Sequence, residues 1–144
     1  MKINTAIQYG VRSLSDIAYH SEGSPVQLKD ISERQDIPPK YIGQIFLKLK
    51  KGGIVKSARG RTGGYFLTRR PDETTVGDVI RAIDGKSIQL VNCEADRQEQ
   101  RKSCERLQKC VVSEIWDEAS KILMDYFESV TLEQLCERER KRAG

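Results

Sequence analysis

The sequence contains four cysteines, and three of them lie close enough together to bind one metal group. These three are Cys93, Cys104 and Cys110, separated by ten and then five residues, whereas Cys136 stands apart. Zinc sites prefer paired Cys-x-x-Cys hooks, and neither gap provides one. Iron–sulfur clusters accept wider spacing because their thiolates attach to different irons. The spacing therefore favours an iron–sulfur cluster, and the alternative is a set of unrelated free cysteines with one redox-active thiol.

The surroundings of the three cysteines suit an anionic group. Cys110 is expected at the start of a long helix, where the helix dipole favours the thiolate that a metal needs. Basic residues of the same segment add positive charge, namely Arg97, Arg101, Lys102, Arg106 and Lys109. Cys136 is predicted to be a small buried hydrophobic residue.

A second group of side chains indicates binding to a polyanion. Residues 40–70 contain nine lysine and arginine residues and no acidic one. Residues 1–81 carry a net charge of +6 (14 basic, 8 acidic), whereas residues 82–144 carry −2 (11 basic, 13 acidic). A solvated basic face is the alternative, but so long a stretch without counter-charge favours a nucleic-acid surface.

Short predicted elements must position these basic residues. Apolar spacing predicts helices at 6–19, 28–35 and 38–51, and the last two, joined by a tight turn, form a helix-turn-helix. Strand-like segments at 54–58 and 65–68 flank a glycine-rich tip, which predicts a hairpin wing. No Lys-Ser/Thr pair follows the glycines and no helix begins there, so a nucleotide-binding P-loop is excluded.

The remaining residues predict three further helices and complete the fold class. Thr75 caps a helix through Ile83, a long helix follows from 110 to about 130, and Thr131 caps a short last helix with a frayed tail at Glu137–Arg142.

The predicted fold is mainly α with a small β wing. Its expected divisions are a winged helix-turn-helix DNA-binding domain (1–84), a cysteine-bearing cluster loop (85–109), and a dimerisation helix with a C-terminal tail (110–144). The wide apolar face of the long helix predicts a homodimer, which suits double-stranded DNA with a pseudo-palindromic operator.

Several segments resemble the winged-helix transcription regulators of the IscR/NsrR/RirA family. They are Met1-Lys2-Ile3-Asn4-Thr5, Leu28 to Gln35, Tyr41 with Gln44-Ile45-Phe46, and Ser57-Ala58-Arg59-Gly60 followed by Gly63-Gly64-Tyr65. The resemblance extends from Met1 to about Gln134. The arrangement of three cysteines before a helix that contains a tryptophan resembles the members of this family that bind an iron–sulfur cluster. It implies a dimer that crosses its long C-terminal helices, with DNA binding altered by the state of the cluster.

The resemblance and the side-chain chemistry together select the DNA-binding residues. They are Lys40, Tyr41, Gln44 and Lys48 of the second helix and Arg59, Gly60 and Arg61 of the wing. Gln44 suits a base edge, Arg59 a narrow minor groove, and the other charged residues phosphates. Instead of contacting DNA, Tyr41 could be a residue of the hydrophobic core. Gly43 stands where the biogenesis regulators have glutamate, so promoter discrimination by a carboxylate there is either missing or achieved differently.

The resemblance also implies that Cys93, Cys104 and Cys110 ligate the cluster, with [2Fe–2S] and [4Fe–4S] both open. Ser113 replaces the histidine ligand of the biogenesis regulators, and Gln8 stands where nitrosative-stress relatives have aspartate. The predicted function is a homodimeric DNA-binding transcription regulator that senses iron, cluster supply or redox and nitrosative stress. The alternatives are a metal-free thiol-redox regulator and an iron–sulfur electron carrier, which would not need the basic helix and wing.

Enzymatic and membrane functions are not expected. His20 is the one histidine, predicted to cap the first helix, and neither paired carboxylates nor a catalytic serine motif stands out. No long apolar run or signal segment is visible, so a cytoplasmic protein without a membrane partner is expected.

Overall fold

The computed structural model describes residues 3–90 and 111–144. In order along the chain, the helices are α1 (Thr5–His20), α2 (Leu28–Gln35), α3 (Pro39–Lys51), α4 (Val76–Asp84), α5 (Val111–Ser129) and α6 (Leu132–Ala143). The strands β1 (Val55–Ala58) and β2 (Gly64–Leu67) follow α3, and a 3-10 turn, Pro71–Glu73, precedes α4. This architecture confirms the predicted mainly α fold with a β wing. None of the described helices combines the length and apolar character needed to cross a membrane.

Helix α1 lies at the centre of the molecule and contacts α2, α3, α4 and α6. The Asn4 side chain caps its first turn by accepting a hydrogen bond of 2.8 Å from the backbone N–H of Ile7. Leu14 and Ile17 of α1 are fully buried. Because α1 packs against so many elements, it fixes the position of the helix-turn-helix relative to the C-terminal helices.

The helix-turn-helix has the predicted limits. Helix α2 ends at Asp36, whose φ of 52° is left-handed, and Pro39 starts α3 because its missing N–H is tolerated in a first turn. The Asp16 carboxylate of α1 is completely buried and lies 2.6 Å from Nη2 of Arg34 in α2. Nε2 of Gln35 donates to the same carboxylate at 2.9 Å. These polar contacts attach α2 to α1.

The wing has a third backbone partner that the sequence pattern did not predict. β1 and β2 are antiparallel, with Val55 opposite Leu67 and Ala58 opposite Gly64. Val26, in the segment before α2, exchanges two backbone hydrogen bonds of 2.8 Å with Tyr65 of β2. The wing is therefore attached to the start of the helix-turn-helix as well as to its end.

The C-terminal helices share the core of the preceding domain. Met124, Val130 and Leu132 join the same buried cluster as Ile7 and Val76. The junction between α5 and α6 is fixed by backbone hydrogen bonds of 2.9 Å, from Val76 to the Val130 carbonyl and from Leu132 to the Thr74 carbonyl. The division of the chain at 84 and 110 stays a prediction.

The frayed tail predicted at Glu137–Arg142 is wrong, because α6 continues to Ala143. Cys136 is buried and contacts α1 through the Ser15 carbonyl, which holds the first half of α6 in place. Nη1 of Arg140 lies 3.0 Å from Oε1 of Glu133, and this ion pair joins residues two turns apart on α6. Packing and pairing together thus support a helix that charge content alone did not predict.

Candidate nucleic-acid interface

Helix α3 has a buried face and an outward face. Ile42, Ile45, Phe46 and Leu49 are buried, as predicted from their spacing. Opposite them, the exposed face carries Lys40, Gln44, Leu47, Lys48 and Lys51. The intervals of three and four residues place these side chains on one helical surface. Leu47 is 66% exposed and was not among the predicted contact residues, although helical phase alone places it beside Gln44.

Tyr41 lies at the edge of this outward face. Its side chain is 47% exposed, and its ring makes an edge-to-face contact with Tyr9 of α1 at a centroid distance of 5.9 Å. The guanidinium of Arg12 lies 5.6 Å from the centroid of the Tyr9 ring and its Nη2 donates to the Gln35 carbonyl. Tyr41 is therefore not a core residue, and it can contact a ligand while α1 limits its movement.

The wing tip presents two arginines on a tight backbone turn. Arg59, Gly60 and Arg61 are all exposed. Gly60 has a φ of 104°, a conformation that favours glycine, and its carbonyl accepts a hydrogen bond of 3.0 Å from Gly63. Nε2 of Gln27, just before α2, donates to the Arg61 carbonyl at 3.4 Å. This contact to the helix-turn-helix was not predicted, because nothing in the spacing of Gln27 and Arg61 indicates it.

Side-chain contacts also connect the wing to α3. The rings of Phe46 and Tyr65 meet edge to face at a centroid distance of 4.9 Å. Nζ of Lys50 lies 2.9 Å from Oγ of Ser57 in β1. The outward face of α3 and the wing tip are thus parts of one packed unit, which can enter adjacent grooves of one DNA molecule.

Among the described residues, most of the positive charge of this unit has no ion-pair partner. Arg69 pairs with Asp78 at 3.3 Å, and Arg70 pairs with Asp72 at 2.6 Å. The other seven basic residues between 40 and 70 form no ion pair within residues 3–90 and 111–144. Those seven are Lys40, Lys48, Lys50, Lys51, Lys56, Arg59 and Arg61. Their charge is therefore available to phosphate groups.

The three proposed cluster ligands, Cys93, Cys104 and Cys110, lie outside the described residues. Of the two candidate fourth ligands, Ser113 is half-buried in the first turn of α5. Gln8 is exposed on α1, and its Nε2 donates to the Ile3 carbonyl at 2.9 Å. In the part of the chain that the structure describes, no three His, Cys, Asp or Glu side chains are grouped to hold a metal ion.

Cys136 and His20 are placed in structural positions. Cys136 is only 1% exposed, and burial raises the pKa of its thiol, so the thiolate is disfavoured there. This position agrees with the predicted small hydrophobic role. His20 is the last residue of α1, and its Nε2 lies 3.9 Å from Oδ2 of Asp16. The structure thus places the one histidine beside a buried carboxylate.

Helix α5 exposes a long apolar stripe. The exposed apolar side chains are Val111, Val112, Ile115, Trp116, Ile122 and Tyr126. The series 112, 115, 119, 122 and 126 alternates steps of three and four residues, which is the spacing of a helix–helix seam. Leu123 of the same helix lines a cleft of its own chain with Ile3, Ile7 and Phe127.

A helix-turn-helix with an arginine-tipped wing and an unpaired basic face define the class of winged-helix, DNA-binding transcription regulators. The family model of Rrf2, described as iron-dependent transcriptional regulator, matches residues 3–138. The chain therefore belongs to the Rrf2 family. This is a family of regulators that bind DNA as dimers and not a family of enzymes.

Individual relatives agree with this assignment. The HTH-type transcriptional regulator IscR of Pectobacterium atrosepticum is 37% identical over 135 residues, which cover 94% of this chain and 79% of the relative. The solved structure of T. potens IscR is similar with a TM-score of 0.76 and 32% identity, covering 96% of this chain and 88% of that one. The structure of CymR (YrzC), the global cysteine regulator of B. subtilis, is similar with a TM-score of 0.70 and 29% identity, covering 96% and 98% of the two chains.

Proposed function

We propose that this Rrf2-family regulator reads a pseudo-palindromic operator with α3 and its wing, and changes its DNA affinity through an iron–sulfur cluster held by Cys93, Cys104 and Cys110. The observation that carries the DNA half is the set of seven basic residues around one outward helix face and one wing tip that form no ion pair within residues 3–90 and 111–144. The proposed contacts are Lys40, Tyr41, Gln44, Lys48, Arg59, Gly60 and Arg61. In this account residues 1–84 bind DNA, 85–109 carry the cysteines and 110–144 form the dimer.

The proposed contacts divide into base readers and phosphate contacts. Gln44 projects from the outward face of α3, where its amide can donate to and accept from an adenine edge in the major groove. Arg59 at the wing tip suits a narrow minor groove, whose negative potential attracts a guanidinium. Lys40, Lys48 and Arg61 neutralise phosphates, and the exposed backbone at Gly60 allows close approach of the sugar–phosphate chain. Two copies related by a two-fold axis then present two such units to successive major grooves.

Replacement of Arg59 tests the DNA half. Arg59→Ala should weaken operator binding by about 1–3 kcal/mol, because one groove contact is lost. Arg138→Ala is the matched control, since Arg138 is an exposed arginine of α6, away from α3 and the wing. Titration of labelled operator DNA at several salt concentrations gives both affinities. Equal affinity of Arg59→Ala and wild type would remove Arg59 from the reading residues.

The chemistry of the donor set supports the cluster half. Three thiolates within 18 residues suit iron–sulfur ligation, and they leave one position for a weaker ligand. Ser113, one turn after Cys110, is one candidate for that position, and Gln8 of a second copy is another. An exogenous thiol or water is the third. A bound cluster would supply a redox-active and labile group, so that its loss or change reports iron, cluster supply or oxidative and nitrosative stress.

Cysteine variants test the cluster half. Cys93→Ala, Cys104→Ala and Cys110→Ala, purified without oxygen, should each lose iron, sulfide and visible absorbance. Cys136→Ala should retain all three, because that thiol is buried between α1 and α6. Full retention of the cluster after the loss of any one loop cysteine would contradict the assignment. Loss in Cys136→Ala alone would make that thiol a ligand.

A metal-free thiol-redox regulator is the second candidate. The similarity to CymR, the global cysteine regulator of B. subtilis, favours it. In that case the anaerobically purified protein would contain no iron or sulfide, and a mild oxidant would change its DNA affinity through one or more of Cys93, Cys104 and Cys110. Iron and sulfide analysis of the same preparation therefore separates the two candidates.

A further inference from the structure

Leu47 occupies the middle of the outward face of α3. It follows Gln44 by three residues and Lys40 by seven, and it precedes Lys51 by four. Residues at these intervals share one surface of a helix, so Leu47 belongs to the same stripe as the proposed base reader. At 66% exposure it is an apolar side chain surrounded by amide and ammonium groups.

Gly43 lies one turn before Leu47, and its own chain does not require a glycine there. A Cβ added at Gly43 would meet no atom within 4 Å, and its φ is not in the left-handed region. A glycine in the interior of a helix costs about 1 kcal/mol relative to alanine. With no packing reason within the described residues, the glycine points to close approach by a partner, and the unpaired lysines of the same face require that partner to be a polyanion.

The only apolar group that DNA presents in its major groove is the methyl group of thymine. We infer that Leu47 packs against a thymine methyl group, in the space left by Gly43, beside the adenine that Gln44 contacts. This inference rests on the proposed placement of α3 in the major groove. Three residues of helix rise about 4.5 Å, close to the spacing of about 3.4 Å between stacked base pairs, so the two side chains reach neighbouring pairs. Each half-site then carries adjacent A·T pairs opposite Gln44 and Leu47.

The test begins with selection of duplexes from a random pool by the full-length wild-type dimer, which supplies the operator. Each selected thymine is then replaced by deoxyuridine, which removes only the methyl group. One such replacement should weaken wild-type binding about fourfold per half-site, the effect of losing one buried methyl group. Leu47→Ala changes both protomers, so it should weaken binding of the thymine operator by a similar factor at each half-site, about 16-fold in total, and should show no further loss with deoxyuridine.

Two further variants provide controls. Lys48 is on the same face, and Lys48→Ala should weaken binding of the thymine and deoxyuridine operators by the same factor, because a phosphate contact does not sense the methyl group. Gly43→Ala should raise the melting temperature and yet weaken DNA binding, because the helix improves while the approach to DNA is blocked. Unchanged or tighter DNA binding by Gly43→Ala would contradict the close approach.

The outcomes separate this inference from the proposed function. An enriched operator whose binding by wild type does not respond to any thymine replacement would overturn the role of Leu47 and leave the proposed DNA interface standing. An equal deoxyuridine effect in wild type and Leu47→Ala would overturn it as well. A pool without any enriched sequence would overturn the proposed operator reading and the thymine contact together.

Discussion

Asp16 is a charged residue whose contribution to stability should be large. Its carboxylate is completely buried, and it receives hydrogen bonds from Nε and Nη2 of Arg34 and from Nε2 of Gln35. A buried carboxylate is stable only with such partners, and the hydrogen bonds also raise the pKa of Arg34. The pair joins α1 to α2, so it holds the first helix of the DNA-binding unit in position.

Removal of this carboxylate should destabilise the protein. Asp16→Ala is expected to lower the free energy of unfolding by about 1–3 kcal/mol, because the hydrogen bonds from Arg34 and Gln35 are lost, while Arg34 is exposed enough to be solvated by water. Asp72→Ala is the matched control: Asp72 pairs with Arg70 but is 45% exposed, so the expected change is about 0–1 kcal/mol. Urea denaturation measures both. Similar losses in the two variants would show that burial does not distinguish these pairs.

Asp78 should make stability depend on acid pH. Partial burial raises the pKa of its carboxyl, but hydrogen bonds with Thr75 and the charges of Arg69 and Arg81 outweigh burial, so the pKa lies below its ordinary value of 3.8. The folded state then binds this proton less readily than the unfolded state. The stabilisation is therefore complete above the ordinary pKa and is lost as the pH falls through the lower, folded value.

This linkage predicts the behaviour of Asp78→Asn. The wild type should lose more free energy of unfolding than the variant as the pH falls from about 5 to about 2, because the variant has no carboxylate to protonate. Urea denaturation at a series of pH values provides the comparison. Parallel curves for the two proteins across this range would contradict the assigned role of Asp78.

At the scale of elements, the wing depends on a glycine at its closest backbone contact. Gly64 has a φ of 147°, and an added Cβ would lie 2.5 Å from the Val26 carbonyl oxygen. Gly64→Ala should therefore lower the melting temperature and weaken operator binding, since it separates the wing from the segment before α2. Gly53 also has a positive φ, of 76°, but an added Cβ there would meet no atom within 4 Å. Gly53→Ala therefore measures the effect of backbone strain without a steric clash. Equal melting temperatures for the two variants would show that the contact with Val26 is unimportant.

Helix α4 connects the wing to α5. Asp78 of α4 contacts Arg69 after β2 at 3.3 Å and Arg81 at 2.8 Å. Arg81 in turn pairs with Glu128 of α5, whose Oε2 lies 3.4 Å from Oγ1 of Thr75. A shift of α5 would therefore act on the wing through neighbouring charged contacts as well as through the shared core.

The elements followed from local patterns, whereas their mutual contacts did not. The spacing of Ile42, Ile45, Phe46 and Leu49 is sufficient to predict α3, and the Thr75 capping box predicts the start of α4. The pairing of Val26 with Tyr65 depends on where the loop before α2 lies, which has no local signature. The continuation of α6 depends on burial of Cys136 against α1, which is also a tertiary contact.

The same distinction applies to the site. The basic residues and the glycine-rich tip are sufficient to predict a DNA-binding surface, because charge and backbone freedom are visible in the sequence. The connection of wing to helix through Gln27 and Lys50 was not visible, because it needs the three-dimensional arrangement. Leu47 was not predicted as a contact residue because apolar residues of an amphipathic helix usually lie on its buried face. Its helical phase nevertheless places it on the outward face of α3.

At the scale of the whole molecule, the exposed apolar stripe of α5 allows the proposed dimer to be tested with single substitutions. Ile122 is 69% exposed on α5 within the apolar seam, whereas Met124 on the same helix is buried in its own chain. Ile122→Glu should yield folded monomers, because a carboxylate would be buried against apolar partners in the dimer. Ile122→Leu keeps the apolar surface and should remain dimeric. Sedimentation velocity with circular dichroism measures both properties, and a folded dimer of Ile122→Glu would place the seam elsewhere.

The most direct test of the account measures the coupling between the cysteines and DNA. Wild-type dimer purified without oxygen is titrated with its selected operator before and after iron chelation, with Cys104→Ala as the control. The affinity of wild type should change by about 5-fold to 150-fold on loss of iron, the usual range for coupled sites, whereas the variant should bind equally before and after chelation. Wild-type protein that contains iron and sulfide but binds the operator with the same affinity after their removal would contradict the account.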